Sequence, residues 1–503
     1  MHIPIYQVLG MATAGVLVQS GCTSREKIDK DKFSKRPNIV IILADDLGFG
    51  DVGCYGSVRI RTPNIDRLAA SGLRFMNGYC TSATSTPSRL ALLTGQYSWR
   101  NDRARVLPGD APLLIDPAKT TMPAMLQNAG YTTGIVGKWH LGLGSGIINW
   151  NGRISPGPNE VGFNYSYIMA ATNDRCPTVF IENGNVVGLD PADPILVSYK
   201  QNFPGEPTGK DNPDKIRMGL TQGHAGTIVN GISRIGFMKG GTKARWIDEY
   251  MVDTFLIKAE KFVELSRNKP FFLYYALHEP HCPRIPSSRF AGKSGLGPRG
   301  DVILEADWVV GEFMKKLDQL GLTGNTIVVF SSDNGPVLDD GYADQAVELN
   351  GSHTPWGPMR GGKYSLLEAG THVPFLVSWP GHIQPGTSEA LVCQVDFAAS
   401  FADLTGQPNP GADSQDILGA FLGKSATGRT SLILENGSGK TLIRMNEWVM
   451  IPSYPGEALY KAVNIETGFS PVIQLYNLKT DPGQKKNLAG EERKRVIEMK
   501  GKL

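Results

Sequence analysis

The sequence predicts an α/β fold, in which buried parallel strands carry helices on both faces, followed by a small antiparallel sheet with a helix. Three observations predict it. Three short runs rich in β-branched or aromatic residues each end in a polar cluster, amphipathic stretches lie between them, and after about residue 425 the pattern becomes short strands separated by turns.

The first run is Asn38-Ile39-Val40-Ile41-Ile42-Leu43, ended by Asp45-Asp46 and Gly48. A continuous apolar run of this length is the pattern of a strand buried on both faces. Residues 270–277 repeat it and lead into His278 and His281, and residues 326–330 lead into Asp333-Asn334-Gly335. Two helices are predicted between and beside these strands: 248–266, with Met251, Phe255, Phe262 and Leu265 at helical spacing, and 303–320, with Val309, Phe313 and Leu317. Ligands of such sheets collect at the C-terminal ends of the strands, so one site can gather polar clusters that lie far apart in sequence. Segment 184–242 is rich in Gly and Pro and reads as a long insertion near that site. Further on, 430–435, 441–451 and 472–478 read as short strands, and 491–500 as a charged closing helix.

At 503 residues and 41% hydrophobic content the chain can bury a large core. Its net charge of +3 excludes the strongly basic surface of a nucleic-acid binder. The six cysteines are scattered without metal-type spacing, which argues against a disulfide framework. The segment up to Cys22 resembles a bacterial lipoprotein signal, although no Lys or Arg precedes its apolar part. That resemblance implies export, to the periplasm or the cell surface, and a membrane contact only through a lipid on Cys22. The expected organisation is a signal segment at 1–22, a linker at 23–36, a catalytic domain at 37–425 and a C-terminal α+β subdomain at 426–503.

Asp45, Asp46, Asp333 and Asn334 offer three carboxylates and an amide oxygen at predicted strand ends. Each pair alone is a common turn sequence. Together, all-oxygen ligands suit a hard cation such as calcium or magnesium. Ser85-Thr86-Pro87-Ser88-Arg89 places Ser85 beside a predicted helix start near Ser88, where free N–H groups and the helix dipole favour an anion.

The run from Ser85 to Arg89, followed by Leu92-Leu93-Thr94-Gly95, resembles the signature of the type I sulfatases of the alkaline phosphatase superfamily. Gly137-Lys138-Trp139-His140-Leu141-Gly142, His278-Glu279-Pro280-His281, Gly362-Lys363 and Leu475-Tyr476-Asn477-Leu478 resemble further motifs of that family, in its order and over nearly the whole chain. The resemblance implies a large mixed, mostly parallel sheet sandwiched by helices. It also implies sulfate ester hydrolysis by a formylglycine made from Ser85, held by Arg89, which requires a maturation enzyme as partner. Asp45, Asp46, Asp333, Asn334 and the modified Ser85 would bind calcium in preference to magnesium. Lys138, His140, His281 and Lys363 would contact sulfate and the formylglycine, with His281 and Lys363 protonating the leaving oxygen.

An exported bacterial member of this family resembles enzymes acting on sulfated glycans, with a sulfated galactose or N-acetylgalactosamine as the expected unit. Asp174, Arg175, His224 and His278 are the candidate substrate contacts. The rival readings are a phosphodiesterase or phosphonate monoester hydrolase of the same superfamily, and a non-catalytic sulfoglycan-binding lipoprotein in which Ser85 stays serine. A Ser-His-Asp hydrolase has no G-x-S-x-G elbow to support it.

Overall fold

The computed structural model describes residues 36–503. The signal segment, the Cys22 anchor and nearly all of the expected linker lie outside the described residues. A ten-stranded sheet organises the molecule, in the order Gly386–Cys393, Gly72–Tyr79, Phe375–Ser378, Thr326–Ser332, Asn38–Ala44, Phe271–Ala276, Thr132–Lys138, Tyr165–Met169, Phe180–Glu182 and Asn185–Val186. Only Phe375–Ser378 and Phe180–Glu182 run against the rest, so the sheet is mixed but mostly parallel.

The three predicted strands form its centre, and their register aligns their C-terminal ends. Leu43 pairs with both Ala276 and Ser331, and Ala276 pairs with Gly137 one residue before Lys138. Side chains alternate across each central strand. Ile39, Ile41 and Leu43 enter one core with Leu92, Met125, Phe397 and Phe401 from helices on that side. Val40, Ile42 and Ala44 enter the other with Phe255, Phe262, Val309 and Phe313. This two-faced burial is why the central strands read as unbroken apolar runs.

The helices fall where predicted, at Met251–Ser266 and Gly297–Gln319, the second starting six residues earlier than the sequence suggests. Segment 441–451 is not one strand. It is a hairpin, Thr441–Met445 and Trp448–Ile451, turned by Asn446 at φ 51°, a conformation that Asn tolerates well. With Ser431–Glu435 and Gln474–Asn477 it makes a four-stranded antiparallel sheet. One face of that sheet packs on Val496 and Met499 of the closing helix Arg493–Lys500, and the other on Tyr79, Ala91, Leu366 and Val395 of the large sheet's surroundings. Segment 184–242 contributes the edge strand Asn185–Val186, the short helix Pro213–Lys215 and two short strand pairs, Leu196–Ser198 with Phe237–Lys239 and Ile228–Val229 with Ile232–Ser233. Among the described residues the five cysteines are unpaired, and no helix is long and apolar enough to cross a membrane.

The turn after Asp45-Asp46 is braced from below. Asp51 is fully buried, takes both Arg299 guanidinium nitrogens at 2.9 and 2.6 Å and His353 Nε2 at 2.8 Å, and accepts the Gly48 N–H. Burial opposes ionisation, yet Arg299 and His353 hold the Asp51 carboxyl down at about 2. A carboxyl whose folded value lies below its unfolded one stabilises the fold above the unfolded value, and that contribution disappears as pH falls through the folded value. Asp51→Asn should therefore lower the urea midpoint at neutral pH. The stability difference from wild type should shrink by on the order of 2 kcal/mol between pH 4 and pH 2, measured by urea denaturation across that range. A difference independent of pH would refute this account of Asp51.

Candidate active site

Ser85 opens the helix Ser85–Thr94, with Thr84 in extended conformation before it, so its hydroxyl sits at the positive end of the helix. The helix starts three residues before the position its sequence suggests. Ser85 Oγ lies 3.3 Å from Asp45 Oδ1, 3.3 Å from Asn334 Oδ1 and 2.8 Å from Lys138 Nζ. Thus the strand-end residues and the helix start, hundreds of residues apart in sequence, meet at one hydroxyl.

Backbone geometry aims the acidic groups. Asp46 adopts φ 65°, which reverses the chain directly after the first strand, and its N–H donates to Asp333 Oδ1 at 3.2 Å. Asn334 Nδ2 donates to Asp46 Oδ1 at 2.7 Å, leaving its carbonyl oxygen toward Ser85. Gly335, just beyond, has no room for a side chain, since a Cβ there would lie 1.7 Å from the Ala369 carbonyl oxygen.

Cations meet these carboxylates. Lys138 Nζ is 2.7 Å from both oxygens of Asp45 and 3.7 Å from Asp333. Arg89 grips Asp333 through Nε at 3.0 Å and Nη2 at 2.8 Å, and its other nitrogen reaches the Tyr274 hydroxyl at 3.2 Å. The family resemblance implies that Arg89 holds the modified Ser85; beside the unmodified serine its hydrogen bonds go to Asp333, Tyr274 and the Lys138 carbonyl. Lys363 Nζ bridges Asp46 Oδ2 at 2.9 Å and Asp340 Oδ2 at 2.8 Å.

The electrostatics follow from this crowding. Burial raises the Asp45 carboxyl, Lys138 opposes the shift, and neighbouring Asp333 and Asp46 add to it. Burial acts on Asp333 too, but Arg89 and Lys138 hold it well below the usual carboxylate range. Lys138 is lowered by burial against the pull of Asp45, whereas Lys363 is kept charged, despite burial, by Asp340 and Asp46. Asp45, Asp46 and a His281 nitrogen lie within 4.8 Å of one another, and Asp333 and Asn334 are hydrogen-bonded to Asp46 beside them. A set of buried donors made mostly of carboxylate and amide oxygens fits a hard divalent cation.

Two histidines complete the centre. His140 Nε2 sits 3.0 Å from the Leu107 carbonyl, which can only accept, so Nε2 carries the proton and Nδ1 is a buried lone pair with no partner. Burial and Lys138 keep His140 neutral. His281 Nδ1 lies 2.5 Å from the Cys282 carbonyl and 3.1 Å from Asn173 Oδ1, which leaves Nε2 facing Asp46 at 3.9 Å. Burial and Lys363 lower it to about 4.

Ser85, His140, His281 and Lys363 line one cavity of about 290 Å³, together with Asp174, Arg175 and His224. Asp174 accepts from Arg175 at 2.7 Å and pairs with His224 Nε2 at 2.9 Å. The insertion delivers His224 by two bridges to the main body, Ile235 with Arg175 and Leu220 with Tyr342. At Gly341, φ 109°, an added Cβ would come within 2.0 Å of the His224 ring.

His278 is displaced from its expected place. Its ring packs on Phe255 and its Nδ1 faces Glu279 at 3.2 Å, so it lines a separate small void and not the cavity of Ser85. Of the two histidines of His278-Glu279-Pro280-His281, His281 lines both this void and the cavity of Ser85, whereas His278 lines the void alone. Conversely, Asp340, Tyr364, Tyr460 and Val463 line the cavity without a sequence motif that points to them, while Gln222 comes with the polar loop that carries His224. Tyr364 adjoins Lys363, and Asp340 lies in an Asp-Asp-Gly turn, which are the only local signals they carry.

Comparison with known proteins agrees with this geometry. The family model described as Sulfatase matches residues 37–407. An N-acetylgalactosamine-6-O-sulfatase of Bacteroides thetaiotaomicron is 48% identical over 489 residues, covering 96% of each chain. Human arylsulfatase A is 31% identical over 481 residues, covering 91% of this chain and 84% of that protein. A solved structure concerned with the metabolism of multiple glycosaminoglycans by Bacteroides thetaiotaomicron superposes with a TM-score of 0.92 at 49% identity, covering 93% of this chain and 98% of the other. With a hydroxyl set among carboxylates, lysines and histidines on a matching fold, the chain belongs to the sulfatase family and is a sulfuric ester hydrolase.

Proposed function

We propose that this chain hydrolyses the 6-O-sulfate of N-acetylgalactosamine units in glycans, through a formylglycine derived from Ser85 and with a bound calcium ion. The observation that carries the reading is the position of Ser85 Oγ, at a helix N-terminus and within 3.3 Å of Asp45, Asn334 and Lys138. The substrate reading draws support from the 48% identical relative, named an N-acetylgalactosamine-6-O-sulfatase.

Asp45, Asp46, Asp333 and Asn334 would hold calcium, with the modified Ser85 approaching it. When bound, the ion supplies positive charge beside the sulfate oxygens and the nucleophile. Oxidation of Ser85 to an aldehyde, followed by hydration, places two hydroxyls on one carbon. Lys138, 2.8 Å from the present hydroxyl, orients one of them toward sulfur. That oxygen gives up its proton to Asp45, whose Oδ1 lies 3.3 Å from the present hydroxyl. It forms the new S–O bond while the bond from sulfur to the sugar O6 breaks, and the sugar oxygen takes a proton from the Lys363–His281 pair. Lys363 is cationic at the start, and the negative charge of the bound sulfate favours protonation of His281. The unpartnered Nδ1 of His140 suits the second half: it accepts the proton of the other hydroxyl, the aldehyde re-forms, and the carbon–oxygen bond to sulfate breaks. Arg89 keeps Asp333 ionised and in place, which makes it a positioning residue.

Asp174, Arg175 and His224 line the same cavity, with an Asp174 oxygen within 4.8 Å of a His281 ring nitrogen, and offer a carboxylate, a guanidinium and an imidazole for sugar hydroxyls. A site built to hydrogen-bond a hydroxyl discriminates strongly, because unmatched buried polar groups are costly.

Two outcomes test the reading. The tryptic peptide containing Ser85, from protein co-produced with a maturation enzyme, should be about 2 Da lighter than its sequence mass, as removal of two hydrogens in making an aldehyde nucleophile requires. That protein should release sulfate from N-acetylgalactosamine 6-sulfate in a calcium-dependent way, and Ser85→Ala should release none. A modified but inactive protein would overturn the substrate assignment. Separately, Asp174→Asn and His224→Ala should each lower kcat/KM on N-acetylgalactosamine 6-sulfate by about 10- to 100-fold, equivalent to one or two lost hydrogen bonds to charged groups. Turnover of a small aryl sulfate, which has no sugar hydroxyls, should change much less. Equal losses on both substrates would assign these residues to the chemistry and not to sugar recognition.

A further inference from the structure

Lys363 sits in a loop, 359–370, whose backbone is not self-supporting. Gly361 at φ 84°, Gly362 at 156° and Tyr364 at 72° all lie on the positive side, Tyr364 at a steric cost. Such a conformation persists only where its surroundings impose it. On the catalytic side, Lys363 N–H donates to the Pro336 carbonyl at 3.0 Å and Tyr364 N–H to the Ala83 carbonyl at 2.8 Å. Ala369 N–H donates to the Arg360 carbonyl at 2.9 Å and closes the base of the loop.

The opposite side is tied to the C-terminal subdomain, where two residues each grip the loop twice. Glu466, in the hairpin of Leu459–Tyr460 with Ile465–Glu466, accepts from Arg360 on both carboxylate oxygens, at 2.7 and 2.9 Å, and its carbonyl accepts the Ser365 hydroxyl at 2.5 Å. Gln484, fully buried, repeats the pattern: its carbonyl accepts Arg360 Nη1 at 2.7 Å, and its side-chain oxygen accepts the Glu368 N–H at 2.7 Å. Both therefore hold the chain before and after Lys363. Arg360 is the partner they share, and its planar fork is what lets one side chain meet a carboxylate and a carbonyl together. The Arg360–Glu466 pair is itself partly exposed, with side chains 36% and 47% accessible, so it adds little to global stability. Its effect is on where the loop sits.

We propose that Arg360, clamped by Glu466 and Gln484, is a positioning residue for sulfate ester hydrolysis: it fixes the loop so that Lys363 Nζ stays between Asp46 and Asp340, in place for proton delivery to the leaving sugar oxygen. The inference rests on the reading of Lys363 given above. As the bond from sulfur to the sugar O6 breaks, its electron pair goes to the sugar oxygen, and the proton from the Lys363–His281 pair must arrive along a short, aligned path. The C-terminal subdomain then serves the reaction without touching the sulfur.

The test measures kcat and KM separately on N-acetylgalactosamine 6-sulfate, using full-length protein with modified Ser85. Arg360→Ala should lower kcat by about 10- to 100-fold, the range for a misplaced catalytic group. KM should stay within about twofold, because Arg360 is not among the residues lining the cavity. Arg360→Lys keeps the charge but not the fork and should recover part of the loss. Glu466→Gln, which keeps the size of the side chain, should lose kcat in the same direction and covers the case in which Arg360→Ala does not fold. In a Lys363→Arg background, which retains a cation between Asp46 and Asp340 but cannot spare a proton, Arg360→Ala should cost no more than about a further twofold. If Arg360→Ala and Glu466→Gln both leave kcat near that of wild type, or cost as much with Arg at 363 as with Lys, Arg360 does not act through Lys363. If wild type does not turn over the sugar, or Lys363→Arg costs nothing, the reading of Lys363 has failed first, and this inference falls with it.

Discussion

The site depends on one electrostatic constraint: Asp45, Asp46 and Asp333 are buried together, and buried charge must be matched. Each is met by its own cation, Asp45 by Lys138, Asp333 by Arg89 and Asp46 by Lys363. These cations come from three separate parts of the chain, a strand end, a helix and a loop. The sheet register that aligns Leu43, Ala276 and Ser331 is what allows them to converge. The arrangement is costly to build and costly to disturb, which is consistent with a fold that surrounds it on every side.

The scaffold under that cluster was largely legible in the sequence. Strands buried on both faces leave unbroken β-branched runs, and their polar ends mark the sheet edge, so Asp45, Asp46, Asp333 and Asn334 were visible by position. Ser85 was legible through its motif. The limits have local causes. Residues 441–451 contain no Gly or Pro, so the hairpin at Asn446 left little trace in the pattern. His278 and His281 look equivalent in sequence, and only the path of the chain after Ala276 sends one to the cavity and the other against Phe255. Tyr460 and Val463 reach the cavity from a subdomain whose own sequence carries no sign of catalytic duty.

The C-terminal subdomain is therefore more than an appended layer. Its four-stranded sheet shares a core with Tyr79, Ala91 and Leu366, and the backbone of Glu435 is bonded to Thr81 and Ala83, a few residues before Ser85. The segment that leads into the Ser85 helix is thus held from both sides, by the large sheet and by the small one. Loss of the small sheet would remove the two backbone bonds that Glu435 makes to Thr81 and Ala83.

The close approach of Gly341 to the ring of His224 ties the proposed sugar contact to a residue that itself offers no side chain to a ligand. Any larger residue at 341 must push the imidazole aside, and with it the partner of Asp174. Substrate preference in this scaffold can accordingly drift during evolution through a single mutation that leaves every polar group of the cavity in place. Surveys that compare only ligand-touching positions would score two such enzymes as identical in specificity when their pockets are not.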